Sequence, residues 1–297
     1  VKIYGETHAY GMPLTGSGTE QSVSSITVDD LKKFHGTWFK PNHSTLIVVG
    51  DTTLAEIQPM LEKVLGAWKP GDTPAKNISK VEHQAQGRVY LIDKPGSIQS
   101  MIIAGHIAPP QANPQEIAIE TMNTSLGGMF TSRINMNLRE EKGWSYGAQS
   151  FFWPARGQRP FMAYAPVQTD KTKESLAEIK KELTDVVGAR PLSEQELDMA
   201  QNNLTLQLPG ARETMNRVAG SIEEIVRFGL PDNYFEMYPE KVRAVTRGDA
   251  TDAAKSVLRP DKLQWVVVGD REKIEAGIRE LNLGEVILVD ADGNPVR

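Results

Sequence analysis

The chain has 297 residues, 39% hydrophobic and 24% charged, the balance of an ordinary globular protein long enough for two domains. A formal net charge of −5, with no basic run, argues against nucleic acid as a partner. There is no cysteine, which excludes disulfides, thiolate metal sites and thiol nucleophiles, and no apolar stretch approaches the roughly 18 residues that span a bilayer.

In chain order, Thr27 opens a helical pattern over residues 28–39 that stops near Pro41. Residues 45–49 (TLIVV) read as a strand closed by Gly50-Asp51, and residues 54–68 as a helix. Residues 69–77 are proline, glycine and polar side chains, a linker that places a boundary near residue 75. Strands are expected at 88–93 and 98–107, each ended by a proline-containing turn. Residues 114–125 form a helical pattern with Ile117, Ile119, Met122 and Leu126 toward a core, stopped by Gly127-Gly128. A second helix is expected over 130–142, with Gly143 as its C-terminal signal. Strands follow at 145–153 and 160–167, then helices at 171–187, 193–208 and 211–228, with Ser193 and Glu196 in the capping-box pattern. A helical stretch from Thr246 to Pro260, a strand at 264–268 closed by Gly269-Asp270 and a helix at 273–281 complete the chain. Strands with short connections and clustered helices predict an α+β fold, a mainly antiparallel sheet with a helical layer on one face.

The end of the chain repeats its beginning. Thr27 and Thr246, Pro41 and Pro260, and Asp51 and Asp270 are each 219 residues apart, around the same helix–strand–helix pattern. Residues 1–74 therefore read as the C-terminal part of a first αβ unit and residues 75–297 as a complete second one. Because the second unit starts near Gly87, the offset places the start of the first about 130 residues before Val1, so the chain is expected to be a piece of a longer one.

Few residues offer chemistry outright. His8, His35, His43, His83 and His106 include no pair at helical ligand spacing, and neither H-E-x-x-H nor H-x-x-E-H occurs, so they are expected at the surface or core edge. No G-x-S-x-G elbow is present; Gly16-Ser17-Gly18 sits in a polar loop. Gly127-Gly128 precedes a helix without a phosphate-binding lysine or dinucleotide fingerprint, which favours a tight turn between helices.

The informative stretch is Leu126-Gly127-Gly128-Met129-Phe130-Thr131-Ser132-Arg133-Ile134, followed by Asn137-Leu138-Arg139-Glu140-Glu141-Lys142-Gly143-Trp144-Ser145-Tyr146. With Tyr10-Gly11, Pro41-Asn42, Val48-Val49-Gly50-Asp51 and Lys94-Pro95, it resembles the pitrilysin/insulinase-like (M16) zinc peptidases over nearly the whole chain, specifically their non-zinc region. The resemblance implies tandem αβ units, one carrying H-x-x-E-H and a distal glutamate around zinc, the other supplying an arginine and a tyrosine. Here these are Arg139 and Tyr146, which the resemblance makes catalytic: a guanidinium to orient a substrate carbonyl and a phenol to donate to an oxyanion. No cofactor is expected in this chain, while zinc is expected in the complete enzyme. The implied partners are a peptide substrate and a zinc-bearing M16 unit, upstream or on a separate subunit, with a dimer a further option. A bacterial periplasmic location suits the resemblance. A non-catalytic M16-like structural or binding subunit is the rival reading. Arg133 is expected to be structural, Trp144 and residues 151–153 to pack in a core or offer an edge to a peptide, and Gln149 and Ser150 to be candidates for a polar cleft.

Overall fold

The computed structural model describes residues 1–12, 16–76 and 78–296. The helices are α1 (Glu20–Ser25), α2 (Val28–Trp38), α3 (Leu54–Leu65), α4 (Glu116–Asn123), α5 (Arg133–Asn135), α6 (Thr172–Val187), α7 (Glu194–Leu206), α8 (Met215–Phe228), α9 (Tyr234–Ala244), α10 (Arg247–Val257) and α11 (Arg271–Glu280). The strands are β1 (Arg88–Asp93), β2 (Gln99–Ala108), β3 (Gln149–Phe152), β4 (Arg159–Gln168), β5 (Gln264–Gly269) and β6 (Glu285–Val289). The chain divides into two compact units, one of Val1–Ser79 with Leu208–Phe235 and one of Lys80–Gln207 with Glu236–Arg297. Asn77, the end of the expected linker, lies outside the described residues.

The larger unit is built on one six-stranded sheet, in the order β3-β4-β2-β5-β1-β6. The β3/β4, β4/β2 and β2/β5 pairs are antiparallel, and β5/β1 and β1/β6 are parallel. Alternation decides its faces: Val89 and Leu91, Ile102 and Ala104, Phe161, Ala163, Ala165 and Val167, and Trp265 and Val267 are all buried. They join Ile119, Met122 and Leu126 of the α4 region with Leu176, Ile179 and Leu183 of α6 in one core. The α+β expectation, a mainly antiparallel sheet with a helical layer, is what the chain forms, with two parallel pairs added at one edge.

Three local expectations are corrected. Residues 130–142 do not form a regular helix: helical structure begins at Arg133, and after α5 it widens into a π-helical turn, Met136–Glu141, where the Lys142 N–H donates to the Asn137 carbonyl five residues back. The end of α4 likewise widens into a π turn, Thr124–Gly128. Gly143 does terminate the segment, at φ +65°. The strand expected from residue 145 starts at Gln149, because Ser145 makes only an isolated bridge to Val167 and residues 146–148 leave the ladder. Residues 45–49 are unpaired, since the described residues of their unit include no strand to bond with, and a strand is stable only against neighbours. Helices α1 and α9 and strand β6 were not anticipated.

The repeat is visible in the structure. α2 and α10 are both 11 residues long and start 219 positions apart, each in a capping box, Thr27 with Asp30 and Thr246 with Asp249.

Candidate functional site

The site is assembled by the two π turns and the edge strand. Gly127 and Gly128 end the first turn against β3, and a Cβ on Gly127 would lie 2.3 Å from the Ser150 backbone nitrogen, so only glycine allows this approach. Between the turn and the strand opens a hollow of about 440 Å³ lined by Gly128, Met129, Phe130, Asn135, Gln149 and Tyr164 among others.

Asn135 ties its walls together. The buried carboxamide donates from Nδ2 to the Phe130 carbonyl (2.6 Å), and its Oδ1 accepts the Ala148 N–H (3.1 Å). Asn123 does the same one turn earlier: its Nδ2 donates to the Ser150 carbonyl (3.0 Å) and its Oδ1 accepts the Ser150 hydroxyl (2.8 Å). These contacts settle the state of the sheet edge. The Trp153 N–H donates to the Pro160 carbonyl, so in this register residues 149, 151 and 153 turn their backbone groups toward β4, and 148 and 150 turn theirs outward. The outward Ala148 N–H and Ser150 carbonyl are the groups that the two asparagines take. The edge is therefore already occupied there, and a peptide cannot extend the sheet at those two residues.

Arg139 and Tyr146 both adjoin the hollow. Arg139 sits in the last turn of its π segment with its guanidinium 4.7 Å above the ring of Phe130, a wall residue, and its Nε 3.3 Å from the Glu140 carboxylate. Tyr146 is 85% exposed and immediately precedes Gly147, another lining residue. Its loop is pinned from below: the Ser145 hydroxyl donates to the Pro166 carbonyl (2.6 Å) and accepts the Gly147 N–H (3.1 Å), and the Gln168 N–H donates to the Trp144 carbonyl (2.9 Å). Tyr146 is thus held out by an anchored loop rather than packed in a strand.

Arg133 is locked elsewhere. Nearly buried, it makes a forked pair with Glu196 (2.5 and 2.7 Å) and donates to the carbonyls of Arg190 (2.5 Å) and Pro191 (3.0 Å). Burial pushes the Glu196 carboxyl up, but the Arg133 hydrogen bonds and the Ser193 backbone N–H outweigh it and hold the group at about 2. Of the polar pair considered from sequence, Gln149 lines the hollow and Ser150 is buried against Asn123. Asn123 and Asn135 escaped notice. A signal existed for the first: it occupies the i+4 place of the Ile119–Met122–Leu126 stripe, where a polar side chain needs a partner.

Two of the histidines are engaged within the fold. His8 Nδ1 accepts the Tyr10 N–H and its Nε2 meets the Ser79 carbonyl, while His106 Nδ1 meets the Ile107 carbonyl and its Nε2 accepts the Arg259 N–H. Both rings have their nitrogens engaged, and among the described residues no three histidine, aspartate or glutamate side chains come together as metal ligands would. Among the described residues no helix is long and apolar enough to cross a membrane.

Known proteins resemble the chain in sequence and fold. Residues 25–204 fit the family model described as the peptidase M16 inactive domain. The chain is 25% identical to an uncharacterized zinc protease of Streptomyces coelicolor, over 81% of this chain and 54% of that protein. It is 21% identical to a non-peptidase homologue of Helicobacter pylori, over 86% of this chain and 59% of that protein. The crystal structure of a peptidase M16 inactive domain from Pseudomonas fluorescens superposes with a TM-score of 0.79 at 24% identity, covering 90% of this chain and 62% of that one, a likeness of fold. The chain thus spans a little over half the length of these curated relatives.

Proposed function

Because the chain belongs to the peptidase M16 family, through its inactive domain, we propose that it is the substrate-positioning, non-zinc part of a zinc metallopeptidase that hydrolyses peptides. In this reading Arg139 and Tyr146 complete an active site whose zinc ligands lie on a zinc-bearing M16 unit, upstream in the same polypeptide or on a partner chain. Zinc, held there, would supply Lewis-acid activation. The observation that carries the reading is the presentation of Tyr146: a phenol 85% exposed, on a loop anchored through Ser145, beside a hollow that has Arg139 stacked on its wall. A preset donor of this kind serves a developing oxyanion, since it needs no reorganisation when charge appears. The exposed guanidinium offers a fork of N–H groups for a peptide carbonyl or carboxylate. The occupied β3 edge directs the peptide backbone to the hollow and its rim instead of to residues 148 and 150. Replacing Tyr146 with Phe in the assembled enzyme lowers kcat by about 100-fold with little change in KM; an unchanged kcat removes Tyr146 from the mechanism.

A second reading is a non-catalytic M16-like binding or structural subunit. It is favoured by the match to a non-peptidase homologue and by the contact of Arg139 with its neighbour Glu140. Adding the purified chain to a zinc-bearing M16 unit separates the two: accelerated peptide cleavage supports the first, and binding without acceleration supports the second. The bacterial periplasm is the compartment proposed, which cell fractionation tests.

A further inference from the structure

Three glycines line the hollow beside Tyr146, and the backbone requires only two of them. A Cβ on Gly127 would lie 2.3 Å from the Ser150 backbone nitrogen, and one on Gly128 would lie 3.2 Å from the Asn123 carbonyl oxygen. Gly147 is different. Its φ is not positive, and beyond its chain neighbours a Cβ there would approach only Asn135 Oδ1, at 4.0 Å. Its backbone N–H and carbonyl both bond the Ser145 hydroxyl, contacts that any residue can make. A side chain at this position is therefore permitted by conformation and by packing, and the atom it would approach belongs to the wall of the hollow. What the missing side chain leaves is room.

The chemistry of that room is narrow. Among the described residues no charged side chain lines it. Met129, Phe130 and Tyr164 supply its apolar wall, and the Asn135 carboxamide is already engaged by the Phe130 carbonyl and the Ala148 N–H. At the rim the Arg139 guanidinium, stacked on Phe130, is faced by the Glu140 carboxylate at 3.3 Å, so the mouth carries no net charge. A charged side chain entering the hollow would lose water and gain no partner inside. An aromatic one gains ring contacts with Phe130 and Tyr164 and a sulfur contact with Met129. About 440 Å³ is at the small end for a ligand pocket, room for one large side chain rather than a folded segment.

We propose that the hollow is a specificity subsite that takes one aromatic side chain of the peptide, and that Gly147 sets its size. Tyr146 and Gly147 are consecutive, with Cα atoms about 3.8 Å apart, and an extended peptide advances about 3.3 Å per residue. The aromatic residue therefore lies within one or two residues of the bond cleaved. That placement along the peptide rests on the reading of Arg139 and Tyr146 given above; the chemistry of the hollow does not.

Two experiments test it. In the assembled enzyme, peptides carrying Phe, Ala, Asp or Lys at each of the two positions on either side of the cleaved bond are compared by kcat/KM. One position is expected to favour Phe over Ala by about 100-fold and to reject Asp and Lys. Gly147→Ala is expected to lower that Phe-to-Ala ratio about 10-fold and Gly147→Leu to bring it close to one, the ratio being read so that a general loss of activity does not enter. Tyr146→Phe slows every peptide alike and leaves the ratio where it was. The second experiment needs no catalysis. In the 297-residue chain with carbon-13-labelled methionine methyls, N-acetyl-phenylalanine amide is expected to shift the Met129 signal, identified by its loss in Met129→Leu. N-acetyl-alanine amide is expected to leave it in place, and Gly147→Leu to abolish the shift. Three results overturn the proposal: no Met129 shift with the aromatic amide, a shift that survives Gly147→Leu, or a Phe-to-Ala ratio that is near one in wild type or unmoved by both Gly147 variants. If Tyr146→Phe leaves kcat unchanged while the methyl shift behaves as expected, the catalytic role of Tyr146 fails and the subsite stands.

Discussion

Asn135 and Ala148 are joined by a hydrogen bond from the Ala148 N–H to the Asn135 carboxamide oxygen, 3.1 Å long, which fixes the Tyr146 loop to the helix that leads to Arg139. The same side chain holds the Phe130 carbonyl through its Nδ2, so one buried amide sets both sides of the hollow. Truncation by Asn135→Ala strands a donor and an acceptor and is expected to lower stability by about 2 kcal/mol. Exchange of the 146–148 amides rises in parallel. Urea denaturation with hydrogen exchange checks this, and an unchanged midpoint shows that water replaces the carboxamide.

Arg133, buried, is paired with the half-buried Glu196, so removing the arginine is expected to be costly. Arg133→Ala lowers stability by about 3 kcal/mol, because the Glu196 carboxylate and two carbonyls lose the guanidinium together while Ser193 still caps the carboxylate. The pH dependence has a definite sign. Glu196 stays ionised in the folded chain down to about 2, whereas the unfolded chain takes up that proton near 4.5. The pair's contribution is complete above pH 4.5 and drains as pH falls from there toward 2. Thermal unfolding across that window in wild type and Arg133→Ala measures it: the fall is shallower in the variant, where Ser193 alone still holds the Glu196 carboxylate.

His106 acts in a higher window. Burial pushes its imidazole down to about 4, against an ordinary value of 6.5, and its two nitrogens are committed to the Ile107 carbonyl and the Arg259 N–H. Below pH 6.5 the unfolded chain binds a proton that the folded chain refuses, so stability falls as pH drops from 6.5 toward 4 and is unaffected above 6.5. His106→Gln keeps an amide in place of the ring and is expected to flatten that slope while costing about 1–2 kcal/mol at pH 8. Denaturant titrations at pH 8, 6 and 4.5 decide it.

Arg139 should separate function from stability. Its contact with Glu140 is between side chains that are each about 40% exposed. An ion pair of that exposure contributes little and the stacking on Phe130 adds only a modest amount, so Arg139→Ala is expected to lower stability by about 1 kcal/mol at most. In the assembled enzyme the same change is expected to lower kcat/KM by roughly 100-fold, and Arg139→Lys to restore little of it, because an ammonium lacks the planar fork. A loss of more than about 2 kcal/mol in thermal unfolding would instead make Arg139 a structural residue.

Much of this protein follows from its sequence alone because the signals are local. The β-rich runs of β1, β2, β4 and β5, the Ser193–Glu196 capping box, the Gly143 stop and the 219-residue repeat all depend on neighbours within a few residues or on comparing the chain with itself. Tertiary structure decided the rest. Val-Val-Gly-Asp is the same word at residues 48–51 and 267–270, yet only the second copy lies beside strands, since pairing depends on which backbone is adjacent. The β3 edge is open or closed according to two asparagines that reach it from 13 and 27 residues away, and Arg133 is buried while Arg139 is not because Glu196, 63 residues on, folds over it. Hydrogen bonds and burial are properties of what meets in space, and that meeting is fixed only when the whole sheet and its helices have packed.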